Sequence, residues 1–178
     1  MKKRSVGLVI ITQANGILFA VCQKRAQWNT EKDMPESFPG CLQVSCHGKL
    51  EESEDFYAAL IRESKEELGD KFTRLCQNDV QLHKMVEVDD EKKHVVTYAA
   101  FVTEERLAMI EPGKDVGGLV YLSEAEVNQI IPIDPSMKEN GSPDGKNAMF
   151  QDEIDAIKKA INDTEEIRRL KKIHEKCQ

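Results

Sequence analysis

The feature that most constrains this chain is the acidic stretch 48–69, GKLEESEDFYAALIRESKEELG. Within it Glu63, Glu66 and Glu67 are spaced i, i+3 and i+4, which places three carboxylates on one face of an α-helix. Their mutual repulsion destabilises an isolated helix, so either solvent with scattered cations or a bound divalent metal must offset it. Spacing alone favours a solvated acidic face, because Glu-rich helix faces are usually hydrated.

The helix itself is predicted over residues 53–68. Ser53 is a suitable N-cap, and Gly69 is the residue type that most often follows the last turn of a helix. The stripe of the helix that faces the core is predicted to consist of Tyr57, Ile61 and Leu68.

Apolar, β-branched segments indicate strands on both sides of this helix. The strands are predicted at 5–12, 17–22, 41–46, 80–88, 94–102 and 116–122. Asn15-Gly16 favours a hairpin turn between the first two, and Ser123 caps a predicted short helix over 124–130. Residues 23–39 and 132–147 are predicted to be loops. Strands and helices in this order predict an α/β layered domain.

Composition excludes some classes of partner. The 178 residues include 25 Lys+Arg and 32 Asp+Glu, a net charge of −7, which argues against a surface that follows nucleic-acid phosphates. A single nucleotide in a pocket is still compatible with this charge. Apolar stretches fall short of the roughly 20 residues that span a bilayer, so we expect no membrane partner. Five cysteines without a CxxC pair favour reduced thiols and a cytoplasmic location.

The residues around the predicted helix form a longer pattern. It consists of Gly48, five residues, Glu54, seven residues, Arg62-Glu63, two residues, Glu66-Glu67, one residue and Gly69. These seven positions reproduce the spacing of the Nudix box, G-x5-E-x7-R-E-U-x-E-E-x-G-U, where U is an aliphatic residue. The chain therefore resembles a Nudix hydrolase over about residues 4–133. Ser64 and Asp70 depart from the box at two aliphatic positions, which are packing positions.

The resemblance implies a fold and a division of the chain. We expect a Nudix-like α/β/α sandwich with a mixed sheet over residues 1–133. Residues 134–178 are predicted to form a loop and a C-terminal helical extension. An amphipathic pattern over 149–176 predicts that this extension is buried, either on the same domain or in a homodimer.

The resemblance also implies a reaction and its metal ligands. Family members cleave a diphosphate within a nucleoside diphosphate linked to another group, with Mg²⁺ or Mn²⁺. The resemblance implies metal binding by Glu63, Glu66, Glu67 and His47, the last through its backbone carbonyl rather than its ring. Glu66 is thereby also a catalytic residue, and Arg62 would orient the acidic cluster.

Other roles are predicted outside the box. The catalytic base of the family often lies in a loop after a later strand, where the candidates are Glu104, Glu105, Glu111 and Asp115. We favour Glu111, because it lies in a Pro-Gly loop just before the predicted strand at 116–122. Arg25 is predicted to bind a substrate phosphate. Trp28 either stacks on a base or packs over its own loop.

Two other functions remain open from the sequence. Isopentenyl diphosphate isomerases share the fold and use a Cys in a strand, a role that Cys46 would take here. Lys49, however, stands where that family has a metal-binding His, and the intact carboxylates favour hydrolysis. The second alternative is a non-catalytic module that uses the domain for binding.

Overall fold

The computed structural model describes residues 2–30, 32–114 and 116–162. Asp115 and the part of the predicted C-terminal helical pattern after residue 162 lie outside these ranges.

The described chain alternates strands with helices much as its sequence predicts. The strands are β1 (Lys3–Ala14), β2 (Ile17–Arg25), β3 (Trp28–Asn29), β4 (Met34–Pro35), β5 (Leu42–Gln43), β6 (Cys46–Lys49), β7 (His83–Asp89), β8 (Lys93–Phe101), β9 (Val116–Ser123), β10 (Ile131–Pro132) and β11 (Ala148–Met149). The helices are α1 (Phe56–Leu68), α2 (Asp70–Asn78), α3 (Glu104–Leu107), α4 (Glu124–Val127), α5 (Met137–Asn140) and α6 (Gln151–Asn162). The strand predicted at 41–46 is two short strands, and both predicted loops contain short regular elements.

β1 organises a mixed seven-stranded sheet. One edge of β1 pairs in parallel with β8, and β7 pairs with β8 on the far side. The other edge is shared: its first half, from Ser5 to Leu8, pairs with β6, and its second half, from Ile10, pairs with β2. β2 also pairs with β9 and, near its end, with β5. β1 and β2 therefore form a fork, and β5 and β6 fill it.

Ser45, between β5 and β6, joins the two arms of the fork. Its Oγ accepts the backbone N–H of Ile10 at 2.7 Å, and its hydroxyl donates to the carbonyl of Val21. Its own carbonyl accepts the side-chain amide of Gln23 at 2.6 Å, and Gln43 donates to the Gln23 side chain at 3.0 Å. Each of these residues is buried. The fork is thus closed by polar contacts within an apolar core.

Helices cover both faces of the sheet, and the predicted α/β/α sandwich is confirmed. The face of α1, α2 and α3 contains Val6, Leu8, Ile10, Val21, Leu60, Leu68, Phe72 and Leu107. The opposite face, covered by α4 and α6, contains Val9, Ile11, Cys22, Val44, Val127, Ile154, Ile157 and Ile161. Alternate residues of β1 and β2 enter the two clusters, as the two-residue period of a strand requires.

The first turn and buried face of α1 differ from the prediction. Asp55, not Ser53, is the N-cap, and its Oδ1 accepts the backbone N–H of Ala58 at 2.8 Å. The predicted stripe is wrong at Tyr57, whose exposed fraction is 47%. The buried residues are Ala59, Leu60, Ser64 and Leu68. The position of β6 beneath the helix selects this face, and the helical period alone does not fix it.

Gly69 ends α1 as predicted, with a φ of 90°, but a second helix that the sequence analysis missed follows at once. Asp70 begins α2 and forms ion pairs with Lys65 at 3.1 Å and Arg74 at 2.7 Å. These contacts explain why an acidic residue is tolerated where the box has an aliphatic one.

The C-terminal helix α6 packs against the sheet on the face opposite α1. The segment before it is tied to the domain by the parallel pair β10 and β11. The division of the chain at residue 133 stays a prediction. Within the described ranges, no helix is long and apolar enough to cross a membrane.

We expect the Ser45→Ala variant to be less stable by about 2–4 kcal/mol, because the backbone groups of Ile10 and Val21 lose a buried partner. Denaturant unfolding monitored by circular dichroism measures the difference. Ser37→Ala, at an exposed serine, is the matched control and should change stability by less than about 0.5 kcal/mol. Equal effects in the two variants would contradict the role of Ser45.

Candidate active site

Arg62, on the side of α1, gathers the acidic residues of the stretch 48–69. Its Nε and Nη2 each donate to one carboxylate oxygen of Glu54, both at 3.1 Å, and its Nη1 donates to Glu63 at 2.8 Å. Nη2 also reaches the carbonyl of Lys49 at 2.7 Å. The hydrogen bonds from Arg62 lower the pKa of Glu54. These hydrogen bonds hold the guanidinium of Arg62 in one position, and Arg62 in turn holds the Glu63 carboxylate.

Gly48 explains why β6 and α1 approach so closely. A Cβ atom built on Gly48 would lie 1.7 Å from Cδ of Glu63. Any larger residue would displace that carboxylate from the strand. The glycine that opens the pattern therefore makes room for the Glu63 side chain.

Glu67 lies deeper than its neighbours on the same helix face. Its Oε2 accepts the backbone N–H of His47 at 3.0 Å. Burial raises the pKa of Glu67 to about 7, an effect that the charge of Glu63 adds to and the His47 N–H opposes. By contrast, the side chain of Glu66 is 58% exposed. The three carboxylates therefore differ: Glu63 is hydrogen-bonded to Arg62, Glu66 is mostly exposed with its Oε2 3.6 Å from Nη1 of Arg62, and Glu67 is partly buried.

β6 presents alternate residues to opposite faces of the sheet. The thiol of Cys46 lies 3.8 Å from the hydroxyl of Ser64 on α1, and Gly48 contacts Glu63 on the same side. The ring of His47, between them in the strand, therefore points to the α6 side. Burial is the main cause that lowers its pKa, to about 4. Only the backbone of His47 lies with the carboxylates.

The segment after α3 docks on the C-terminal end of α1. The backbone N–H of Glu111 donates to the carbonyl of Leu68 at 2.9 Å, and that of Gly113 donates to the carbonyl of Glu67 at 3.1 Å. The Nζ of Lys71, in α2, forms an ion pair with Oε1 of Glu111 at 2.6 Å. The backbone of Glu111 thus adjoins the carboxylate helix, while its side chain is engaged by α2.

Arg25 and Trp28 lie at and just beyond the end of β2. The Nη1 of Arg25 is 3.5 Å from both the carboxylate of Glu36 and the carbonyl of Ser37, which are long contacts. The positive charge of Arg25 contributes to lowering the pKa of both His47 and Glu67, so its guanidinium is near both. Trp28 pairs with β4 in a small hairpin and is 47% exposed.

Comparison with known proteins identifies the family. A family model described as the NUDIX domain matches residues 1–140. The chain belongs to the Nudix family. Since every charged position of the Nudix box is intact, it is a Nudix-type pyrophosphohydrolase. A search among curated proteins found no match.

Solved structures share this Nudix fold. A mutT/nudix family protein from Listeria innocua has a TM-score of 0.60 at 20% identity, covering 94% of this chain and 97% of that one. A MutT/nudix family protein from Enterococcus faecalis gives 0.58 at 18%, covering 93% and 63%. The NUDIX domain of Shewanella oneidensis NrtR, complexed with ADP ribose, gives 0.53 at 14%, covering 90% and 86%. At these identities the likeness shows the fold.

The donor atoms of the Nudix box suit a hard divalent cation. Carboxylate and carbonyl oxygens are the ligands that Mg²⁺ and Mn²⁺ prefer. Burial raises the pKa of the Glu67 carboxyl, and a cation beside it would lower that pKa. In the part of the chain that the structure describes, no three His, Cys, Asp or Glu side chains converge closely enough to hold a metal ion. The box therefore matches a divalent cation in the chemistry of its donor atoms, and their positions as ligands stay a prediction.

Two acidic residues near this site were missed by the sequence analysis. Asp152 and Glu153 lie in the first turn of α6, outside the matched Nudix residues. The charge of Asp152 raises the pKa of His47, and the charge of Glu67 raises that of Glu153. One signal was available: Glu153 interrupts an otherwise apolar helical stripe.

We expect Glu67 to make stability fall as pH rises in the absence of divalent cations. Its pKa is raised from 4.5 to about 7, so the folded state holds its proton more tightly than the unfolded state does. The resulting stabilisation is complete below the unfolded pKa and is lost as pH rises through about 7. Thermal unfolding in EDTA from about pH 5 to 8 should show the wild type losing roughly 1–3 kcal/mol relative to Glu67→Gln. Parallel curves for the two proteins would contradict this assignment.

Proposed function

We propose that this protein hydrolyses the diphosphate bond of a nucleoside diphosphate linked to another moiety, and that it uses Mg²⁺ or Mn²⁺. The observation that carries the proposal is the set of carboxylates on α1. Arg62 restrains Glu63 through a 2.8 Å ion pair and Glu66 through a longer one at 3.6 Å, and Glu67 is partly buried beside the His47 backbone. This combination offers several oxygen ligands at one end of one rigid helix.

Glu63, Glu66 and Glu67 would hold the metal, together with the backbone carbonyl of His47. When bound, a divalent cation polarises a phosphoryl oxygen and lowers the pKa of an attacking water. Arg62 supports this set by orienting Glu63, and its bidentate contact with Glu54 keeps the guanidinium in place.

The proposed substrate contacts come from two residues outside the Nudix box, Arg25 and Trp28. Arg25 would donate to a phosphate oxygen, because its contacts with Glu36 and Ser37 are long enough to be exchanged. Trp28 would stack on a base, which its exposed ring permits. A small-molecule nucleoside diphosphate derivative is thus the proposed partner.

Glu111 is the proposed base that takes the proton of the attacking water. Two backbone hydrogen bonds fix its loop at the end of α1. Because its carboxylate is paired with Lys71, that ion pair must open before Glu111 accepts a proton.

The alternative reaction, isomerisation of isopentenyl diphosphate, lacks support from the position of Cys46. Its exposed fraction is 0%, and burial raises the pKa of its thiol well above the usual value. A sulfur enclosed beneath α1 does not reach a substrate carbon. The intact carboxylates likewise disfavour a purely binding module.

Location and assembly are also proposed. Cys22, Cys41, Cys46 and Cys76 are unpaired and buried, which supports a reducing, cytoplasmic location. The apolar face of α6 is covered by the sheet as far as Ile161, so that face offers nothing to a second copy. A homodimer stays a proposal, and it would use a surface other than this face.

We expect hydrolysis with Mg²⁺ of at least one member of a panel of ADP-ribose, dinucleoside polyphosphates, oxidised nucleoside triphosphates, nucleotide sugars and capped RNA. Glu66→Gln should lower kcat by about 10²-fold or more, because it removes a metal ligand. Chromatography of the nucleoside monophosphate or phosphate released measures the hydrolysis rate, and EDTA should abolish hydrolysis. Glu52→Gln, an exposed acid between the fixed positions of the box, is the control and should keep full activity. Equal activity in Glu66→Gln and the wild type would overturn the proposal.

We expect Glu111→Gln to lower kcat by about 10²–10⁴-fold with little change in KM, because it removes the proposed base. Glu105→Gln, in the first turn of α3, serves as the control and should be unaffected. The pH dependence of kcat identifies the base independently. If Glu111→Gln is active and retains the acidic limb of that profile, Glu111 is not the base.

A further inference from the structure

A largely apolar pocket lies on the α1 side of the sheet, near the end of β1. It has a volume of about 450 Å³, and its walls come from the β1–β2 hairpin, β9 and α3. Its size lies within the range of pockets that bind ligands. The wall includes Ala14, Phe19, Leu107, Ala108 and Tyr121, together with the acidic Glu104.

The pocket continues the apolar core toward the surface. Leu107, in its wall, belongs to the core cluster that contains Leu60 and Leu68. At the outer side, Tyr121 is 47% exposed, and Ile17, which pairs with Ala14 in the hairpin, is 54% exposed. Contiguous exposed apolar surface of this kind marks a contact site. Within the described ranges, no segment fills the pocket.

The sequence after α6 carries a second apolar stripe. α6 ends at Asn162, and Ile167, Leu170 and Ile173 follow at intervals of three residues. At 100° per residue, an unbroken helix would turn these three side chains about 170° away from the buried isoleucines of α6. They would then point away from the sheet. This second stripe therefore needs an apolar surface other than the one that α6 covers.

The length of this segment allows it to reach the pocket. Residues 163–178 follow α6. An extended chain spans roughly 3.3 Å per residue, so this segment spans up to about 50 Å. A domain of this size has a radius of gyration of about 15 Å, so every part of its surface is within reach.

The charges of the segment and of the pocket rim are complementary. Residues 167–178 contain five Lys or Arg and one Glu. Glu104 lines the pocket, and the exposed Glu105 follows it in α3. Opposite charges guide two surfaces together and fix their register. A second copy of the protein fits less well, because a stable interface between two proteins buries about 800 Å² on each partner, more than so small a concave site offers.

We propose that the C-terminal segment, residues 164–178, docks in this pocket of its own chain. Ile167, Leu170 and Ile173 pack against the apolar wall, and the basic side chains lie beside Glu104 and Glu105. The C-terminal segment thereby covers the α1 side of the sheet, whereas α6 covers the other side. The inference is independent of the proposed function.

Nile red, a neutral dye that fluoresces in apolar surroundings, reports whether the pocket is covered in the full chain. The triple variant Ile167→Ser, Leu170→Ser, Ile173→Ser keeps every charge, and we expect it to raise dye fluorescence about threefold or more over the wild type. Adding Ala108→Glu should abolish that rise, because it places a charge in the pocket wall. The matched control is Glu165→Ser, Arg168→Ser, Lys172→Ser, on the opposite side of the predicted stripe, and it should leave fluorescence at the wild-type level.

Equal dye fluorescence in the wild type and the triple variant would overturn the inference. So would a rise that Ala108→Glu leaves unchanged, because the dye would then bind elsewhere. A wild-type signal that increases on dilution would show that a second copy covers the pocket, and this too would overturn the inference.

The thiol of Cys177 provides a second measurement that leaves the C-terminal segment unaltered. Cys177 follows Ile173 by four residues and so shares the predicted stripe, while the four cysteines of the described ranges are buried. We expect Ellman's reagent to modify Cys177 about threefold faster or more in Ala108→Glu than in the wild type, since docking is lost. Ala108→Ser is the control and should react at the wild-type rate. Equal rates in Ala108→Glu and the wild type would contradict docking.

Discussion

Ser45 fixes the point at which β1 and β2 separate, and the geometry of the active site depends on that fork. Its hydroxyl bridges Ile10 of β1 and Val21 of β2, so β6 must continue along the edge of β1 that β2 has left. The backbone of β6 then lies directly under α1. Gly48 can approach Glu63 because of this arrangement, and the His47 amide can reach Glu67. A single buried hydroxyl thus links sheet topology to the placement of the carboxylates.

The carboxylates of the site differ in how far neighbouring positive charge compensates them. Arg62 compensates Glu54 and Glu63, which are the residues nearest to the strand end. Glu67 has one backbone donor and no cation of its own in direct contact among the described residues. Stability is sacrificed to keep a buried carboxylate available, which is a common feature of functional sites.

The helix α6 is part of the fold, although it lies outside the residues that the family model matches. The family match ends at residue 140, whereas the likeness to the Listeria innocua protein covers 94% of this chain and so extends into the C-terminal segment. α6 supplies core residues such as Ile154 and Ile157 as well as the acidic pair of its first turn. The helix α6 is therefore an integral layer of the fold.

By itself the sequence determined the family, the strands and the helix that carries Glu63, Glu66 and Glu67, because these follow from local spacing and from the box. It did not determine which face of α1 is buried: Tyr57 is exposed and Ser64 is enclosed, since β6 decides what the helix packs against. Nor could spacing reveal the ring direction of His47 or the isolation of Glu153. Those depend on contacts between segments about 20 to 130 residues apart in the chain, which only the closed fork and the two covering layers bring together. The local periodicity of the sequence defines helices and strands. The tertiary structure decides which side chains lack a hydrogen-bond partner within the fold and are available to bind a ligand.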